Sequence, residues 1–388
     1  MIVMKRINLA IYIDDITVLG GVEKVTYSFY CSLKNKTNYN LRLLSLFQEK
    51  DSKYPADIDF LFLKHSKPNT RNIEDKISEY LEKRNINVLI AEVNDLKKSV
   101  LLGKISKNKG IKILFVLHNT PKMYLANFAS IADCLYKPSL ICRKIYKAFI
   151  GGPSNYFKLK NILSYGKVIT VGKSCGNELK QYFPKYENKI SSIYNINNLS
   201  KGAIKTSKTK KILYMGRFSL QKDLLLLLSL WKNFTLISDE YELLLIGDGE
   251  EKEKILDKIE KKQIKRISVL GRVDNVEYYY SHADVCILTS HYEGLPTVFL
   301  EALSQNCYLF AAKSYGGTGE LIKNNINGFY SQTRNPKILA QELYKFLKKI
   351  KIPNDIGILP IEFSEDFIIE KWNKLIREEL DEDNKEIF

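Results

Sequence analysis

"ADVCILTSHYEGLPTVFLEAL", residues 283–303, opens with an apolar, β-branched run and then breaks at Gly294-Leu295-Pro296. The first eight residues read as a buried strand. Proline suits the first turn of a helix, where its missing N–H costs nothing, so a helix is expected from about Pro296 to Ser304. Such a helix presents the amides of Leu295, Thr297 and Val298 at its positive end, where phosphate or sugar oxygens are attracted. Two carboxylates bracket the break. Glu293 lies in the loop before the helix, and Glu301 lies about two turns along it, in the pattern E-x7-E. Glu301 is flanked by Phe299, Leu300, Ala302 and Leu303, and a carboxylate there is costly to bury without partners. Paired ribose hydroxyls would be good partners, because one carboxylate accepts from both.

The same strand-then-helix grammar runs along the chain. "INLAIYI", "LRLLSLF", "VLIAEV", "IKILFVLH", "KVITVG" and "ISSIYN" read as strands in the first half. "KKILYMG", "YELLLIG", "ISVLG", "VCILTS" and "YLFAA" do so in the second. Strands apolar almost throughout, separated by helix-length segments, predict parallel sheets covered on both faces. A chain of 388 residues suits two such domains. The expected division is a Rossmann-like domain over 1–196, a Ser/Thr/Lys-rich linker over 197–209 and a second Rossmann-like domain over 210–362. A C-terminal helix and acidic tail over 363–388 are expected to pack back toward the first domain. The fold class is therefore α/β, two doubly wound domains facing a central cleft. Ligands in such sheets bind beyond the carboxyl ends of the strands.

Several motifs fall at those strand ends. "YMGRFSLQKD" (214–223) places Arg217 and Lys222 around a turn, and two cations at a strand exit suit a diphosphate. "IGDGEEKEK" (246–254) is a glycine turn opening a charged helix, and "YGGTGELIKNNINGFY" (315–330) offers a glycine turn, a short helix and a second turn. In the first half, "TVLGGVEKV" (17–25) starts a helix with two glycines, and His118 closes a strand ahead of Asn119 and Thr120. "DID" at 57–59 has the letters of a metal-binding carboxylate pair but no glycine turn beside it. With two cations and a helix dipole to neutralise a leaving phosphate, no metal and no other cofactor is expected.

Composition bounds the rest. The six cysteines, Cys31, Cys134, Cys142, Cys175, Cys286 and Cys307, form no C-x-x-C pair and read as reduced thiols of a cytosolic protein. "MIVMKRINLAIYIDD" reaches Asp14 too early for a signal peptide, and "LLLLLSLW" (224–231) is far short of a bilayer span. The net charge is +16, and all of it lies in residues 1–200, where 32 Lys and Arg face 16 Asp and Glu; residues 201–388 hold 28 of each. Either lysine-biased composition or a surface that meets something anionic accounts for this. Residues 121–167 concentrate it: Lys122, Lys137, Arg143, Lys144, Lys147, Lys158, Lys160 and Lys167 against Asp133 alone. Tyr124, Phe128, Tyr136, Tyr146, Phe149, Tyr156 and Phe157 are interleaved, a mixture suited to anionic headgroups. No nucleic-acid-binding motif accompanies the charge, so nucleic acid is not expected as a partner.

Taken together, "GRFSLQKD", "GDGEE", "GRV" (271–273), "EGLPTVFLEAL" and "GGTGELI…NGF" resemble glycosyltransferase family 4, retaining enzymes of the GT-B fold. The resemblance is dense over about 210–330 and thinner over 1–200. It implies that Arg217 and Lys222 hold the donor diphosphate, that Glu301 holds the nucleotide ribose, and that Glu293 contacts the donor sugar near the reacting carbon. It further implies that main chain near Arg272 and Val273 edges the base, that Gly21 covers the β-phosphate, and that His118 sits beside the transferred sugar. The pattern often carries a bulky aromatic and then Gly or Pro after "EG", where this chain has Leu295-Pro296. The expected function is transfer of a sugar from a nucleotide diphosphate, a UDP-sugar, to a lipid-linked or surface-polysaccharide acceptor. The expected location is cytoplasmic, peripheral on the inner face of the membrane. A nucleotide-sugar hydrolase or epimerase of the same fold is the nearest alternative.

Overall fold

The computed structural model describes residues 7–18, 20–48, 58–125, 152–197, 199–352, 356 and 359–385. Two compact units are present. One comprises residues up to 125, residues 152–196 and the C-terminal segment from 362; the other comprises 197–361.

The first unit is built on a seven-stranded, all-parallel sheet. Its strands are β1 (Asn8–Ile13), β2 (Asn40–Gln48), β3 (Ile58–Leu63), β4 (Val88–Glu92), β5 (Lys112–Leu117), β6 (Lys167–Thr170) and β7 (Ile190–Ser192). They lie in the order β3-β2-β1-β4-β5-β6-β7. The central strands β1, β4 and β5 are buried over nearly their whole length, as continuous apolar runs must be when helices cover both faces. Those helices are Gly21–Lys36, Thr70–Lys83, Leu96–Asn108, Gly152–Tyr165 and Lys173–Tyr182, with a single turn at Lys122–Leu125. Asn69 and Asp95 cap two of them by accepting backbone N–H bonds in the first turn. The C-terminal helix Glu365–Lys385 belongs to this unit as well. Its Trp372 ring lies 4.8 Å from that of Phe29, and Lys36 and Lys167 pair with Glu365 and Glu379 along it.

Strand β3 was not anticipated from the sequence. "IDFLFL" forms an edge strand, only partly buried, so its pattern is weaker than that of the central strands. Asp59, from the "DID" triplet, is engaged there by the Tyr80 hydroxyl (2.7 Å) and the Arg84 guanidinium (3.3 Å). Asp57 lies outside the described residues.

The second unit repeats the plan. Its six-stranded parallel sheet holds β8 (Lys211–Met215), β9 (Glu242–Ile246), β10 (Ile267–Gly271), β11 (Val285–Leu288), β13 (Tyr308–Ala311) and β15 (Gly328–Tyr330). The order is β10-β9-β8-β11-β13-β15. A separate two-stranded ladder joins β12 (Tyr292–Glu293) to β14 (Tyr315–Gly316). Helices Leu224–Phe234, Lys252–Lys261, Val276–Ser281, Thr297–Ser304 and Pro336–Lys349 connect the strands. The run "LLLLLSLW" is the first of these helices, buried at Leu224, Leu227, Leu228, Leu230 and Trp231. Among the described residues no helix is long and apolar enough to cross a membrane.

Both sheets reverse their winding direction once, between β1 and β4 in the first and between β8 and β11 in the second. At such a switch point the flanking loops diverge and leave a crevice at the carboxyl ends of the strands.

Candidate active site

In the second unit the predicted residues gather at that switch point. Arg217 leaves the end of β8, and Lys222 follows in the turn before the helix Leu224–Phe234. Glu293 ends β12, five residues beyond the end of β11. The Lys222 ammonium donates to the Glu293 carboxylate at 2.6 Å, with the two side chains 18% and 7% exposed. The Ser290 hydroxyl donates to the same carboxylate oxygen at 2.6 Å. Gln221 reaches the other oxygen at 3.5 Å and the Tyr292 carbonyl at 3.0 Å. Burying a carboxylate is tolerable only with such donors around it. Arg217 is exposed, and among the described residues only its backbone carbonyl takes part in a hydrogen bond, from the Tyr214 hydroxyl (2.9 Å).

The helix expected after the break forms at Thr297–Ser304. Pro296 stands just before it, in the capping position rather than inside the first turn, and has no side-chain acceptor with which to cap it. Its first amides therefore keep the electropositive character of an uncapped end. Thr297 and Val298 are half-buried there, while Leu295 is buried and precedes the helix. Glu301 lies on the buried side of this helix and accepts from the Tyr280 hydroxyl at 2.8 Å. Val273 is half-buried, two residues beyond the end of β10.

The glycine turns are explained by close approach. A Cβ on Gly317 would lie 2.0 Å from the Gly294 carbonyl, so only glycine lets the 315–317 loop lie against the loop carrying Glu293. A Cβ on Gly247 would lie 1.9 Å from the Gly216 carbonyl, at a backbone φ of +143°. The Thr318 hydroxyl, beside Gly317, is buried and has no hydrogen-bond partner among the described residues.

In the first unit, Gly21 is the first residue of its helix and is exposed. A Cβ there would meet nothing, so the backbone does not itself require glycine at this position. Leu19 lies outside the described residues. His118 is half-buried just past the end of β5, its side chain largely covered, and its Nε2 lies 2.5 Å from Glu92 at the end of β4. The second oxygen of Glu92 accepts from Thr26 at 2.9 Å. This carboxylate, which the sequence did not single out, fixes the imidazole from behind. Thr120 and the backbone of Lys122 are held in turn by Glu178, at 2.8 and 2.9 Å. A small cavity is lined by Thr26, Glu92, His118, Asn195, Ile368 and Trp372, among others. Residues 126–151, which carry much of the basic and aromatic stretch, lie outside the described residues. So do Cys134 and Cys142.

With this geometry in hand, residues 195–358 match the family Glycosyl transferases group 1. The chain carries a glycosyltransferase group 1 domain. Its relatives agree. It is 25% identical over 386 residues to the amylovoran biosynthesis glycosyltransferase AmsD of Erwinia amylovora, covering 95% of this chain and 99% of that protein. It is 28% identical over 214 residues to a diNAcBac-PP-undecaprenol alpha-1,4-N-acetyl-D-galactosaminyltransferase of Campylobacter jejuni, covering 52% of this chain and 58% of that one. Among solved structures it resembles Anabaena Alr3699/HepE in complex with UDP and glucose, with a TM-score of 0.72 at 15% identity, covering 96% of this chain and all of that one (100%). It resembles sucrose-phosphate synthase of Thermosynechococcus elongatus with a TM-score of 0.73 at 15% identity, covering 96% and 99%. These likenesses show the fold expected from the sequence, the GT-B class with its two Rossmann-like domains.

Buried acids and thiols of the glycosyltransferase domain give it an alkaline limit. Burial and the nearby Glu301 carboxylate push the Tyr280 phenol well up, and burial raises the Cys286 thiol. Burial also pushes Cys307 up to about 11, from an ordinary value of 9.0. These groups are held neutral in the folded state, so their contribution is complete below the unfolded value and is lost as pH rises through the folded one. Thermal melts should therefore show the unfolding midpoint falling between pH about 9 and about 11, with a shallower fall in Cys307→Ala. The same slope in the variant would remove Cys307 from the account.

Proposed function

We propose that this glycosyltransferase moves a sugar from a UDP-sugar to a lipid-linked or surface-polysaccharide acceptor, with retention of configuration at the transferred carbon. The observation that carries the reading is the pair of half-buried Lys222 and buried Glu293 at the β8/β11 switch point, four residues ahead of the helix that carries Glu301. In this reading Arg217 and Lys222 take the diphosphate, and Lys222 exchanges part of its contact with Glu293 for a phosphate oxygen. The amides of Thr297 and Val298 support the same charge, and Leu295 fixes the entry to their helix. Glu293 then faces the sugar, Glu301 accepts from the ribose hydroxyls, and main chain at Val273 edges the base. Gly21 approaches the β-phosphate and His118, held by Glu92, contacts the sugar. Negative charge grows on the leaving diphosphate in the transition state, and cations and amides already in place stabilise it without reorganising. No metal is required in this scheme, so EDTA should leave turnover intact.

The relatives support the substrate classes. The Campylobacter jejuni protein is named for a PP-undecaprenol acceptor, the Erwinia amylovora one for amylovoran biosynthesis, and the Anabaena structure holds UDP and glucose. Location on the inner face of the membrane follows the lipid-linked acceptor. On the helix Gly152–Tyr165, Phe157 is 61% exposed and Tyr156 36% exposed, close in sequence to Lys158 and Lys160. Rings and cations together suit an anionic interface.

Glu301→Ala should weaken binding of free UDP about tenfold or more by calorimetry, since a charge-assisted bond is worth about 1.5–3 kcal/mol. An unchanged Kd would remove the ribose assignment. Anionic liposomes should sediment the protein at low salt and release it at high salt. Replacing Arg143, Lys144, Lys147 and Lys158 with Glu should abolish this while leaving UDP affinity intact. Equal binding to neutral vesicles, or none to either kind, would contradict the membrane assignment.

A further inference from the structure

Arg334, which no motif singled out, lies between β15 and the helix Pro336–Lys349. Its guanidinium makes four bonds to three separate segments. Nη1 donates to the Ser290 carbonyl at 2.9 Å and to the Lys313 carbonyl at 2.6 Å. Nη2 donates to the Thr289 carbonyl at 2.7 Å and to the Asp223 carboxylate at 2.6 Å. Three of these acceptors belong to Asp223, Thr289 and Ser290, residues that place the Lys222–Glu293 pair. Asp223 is the chain neighbour of Lys222 and holds a left-handed backbone, φ +46°, while its other carboxylate oxygen caps the next helix through Leu226 N–H at 3.2 Å. Thr289 donates its hydroxyl to the carbonyls of Lys222 (3.2 Å) and Asp223 (3.0 Å). Ser290 donates its own to Glu293. His291 adds an imidazole 3.4 Å from the Asp223 oxygen that Arg334 holds.

We propose that Arg334 is a positioning residue for transfer, fixing the turn that carries Lys222 against the strand exit that carries Glu293. The inference rests on the reading that this pair handles the donor. A planar fork with five donors can satisfy four acceptors in divergent directions; an ammonium on a flexible stem cannot hold them in one geometry. Arg334 is 28% exposed, so it touches the outside of the network rather than its centre. Loss of the clamp should let the pair drift, and displacement of catalytic groups by about 1 Å can cost about 100-fold in rate. UDP affinity should change much less than turnover, because Glu301 and the base contacts lie on other elements and the contribution of Lys222 grows with leaving-group charge in the transition state.

The test uses the full chain, with hydrolytic UDP release, water taking the glycosyl group, from an equimolar mixture of UDP-glucose, UDP-galactose and UDP-N-acetylgalactosamine, normalised to the fraction competent to bind UDP. Arg334→Ala should lower kcat between about 10- and 100-fold with KM and the UDP Kd within about threefold, and added guanidinium should restore part of the rate. Arg334→Lys, which keeps the charge if the alanine variant folds poorly, should recover little. Normal kcat per competent molecule in either variant, with only a lowered Tm, would overturn the inference and leave a structural clamp. Lys222→Ala and Glu293→Gln run alongside separate the two failures. If they lose turnover while Arg334→Ala keeps it, the positioning role is wrong and the site stands. If they also keep it, the reading of the site falls and the inference with it.

Discussion

The Lys222 ammonium and the Glu293 carboxylate, 2.6 Å apart and mostly withdrawn from solvent, constrain everything around them. A buried ion pair gains little net stability over an apolar one, and loss of one partner leaves the other stranded at a cost of about 3–5 kcal/mol. Its presence therefore demands a supporting structure. Ser290 and Gln221 satisfy the carboxylate, Thr289 ties down the lysine's turn, and Gly317 lets a third loop come against Gly294. These devices sit where the sheet changes winding direction, which is where a parallel sheet leaves room for a ligand.

The same logic appears in the first unit with different residues. Glu92 and His118 lie at the ends of neighbouring strands, one of them flanking the β1/β4 switch point, and Thr26 completes the chain from the helix that follows β1. A carboxylate behind an imidazole sets which ring nitrogen carries hydrogen toward it and limits ring rotation. Both halves thus place one polar pair, internally satisfied, at the point where a doubly wound sheet opens.

What was legible in the sequence was what depends on neighbours in the chain. Continuous apolar runs marked the central strands because those strands are covered on both faces. Gly294-Leu295-Pro296 marked a helix start that the structure places at Thr297. Strand β3 was missed because an edge strand, half-buried with Asp59 within it, lacks that continuity. The partners of the site residues were not legible, because they come from far along the chain. Tyr280 bonds Glu301 across 21 positions, Glu92 bonds His118 across 26, and Arg334 bonds Asp223 across 111. Tyr280, in a helix, Glu92, in a strand, and Arg334 were not singled out in the sequence. Only the register of the strands brings them into contact.

A double-mutant cycle on Lys222 and Glu293 tests the central claim most directly, with denaturant unfolding and UDP-sugar turnover measured for wild type, Lys222→Met, Glu293→Gln and the pair of substitutions together. The account predicts that Lys222→Met alone destabilises the fold by about 3 kcal/mol or more by stranding a buried carboxylate, and that adding Glu293→Gln restores part of that loss. Turnover should stay low in all three variants. Additive stability effects, or a double variant that turns over donor as wild type does, would contradict it.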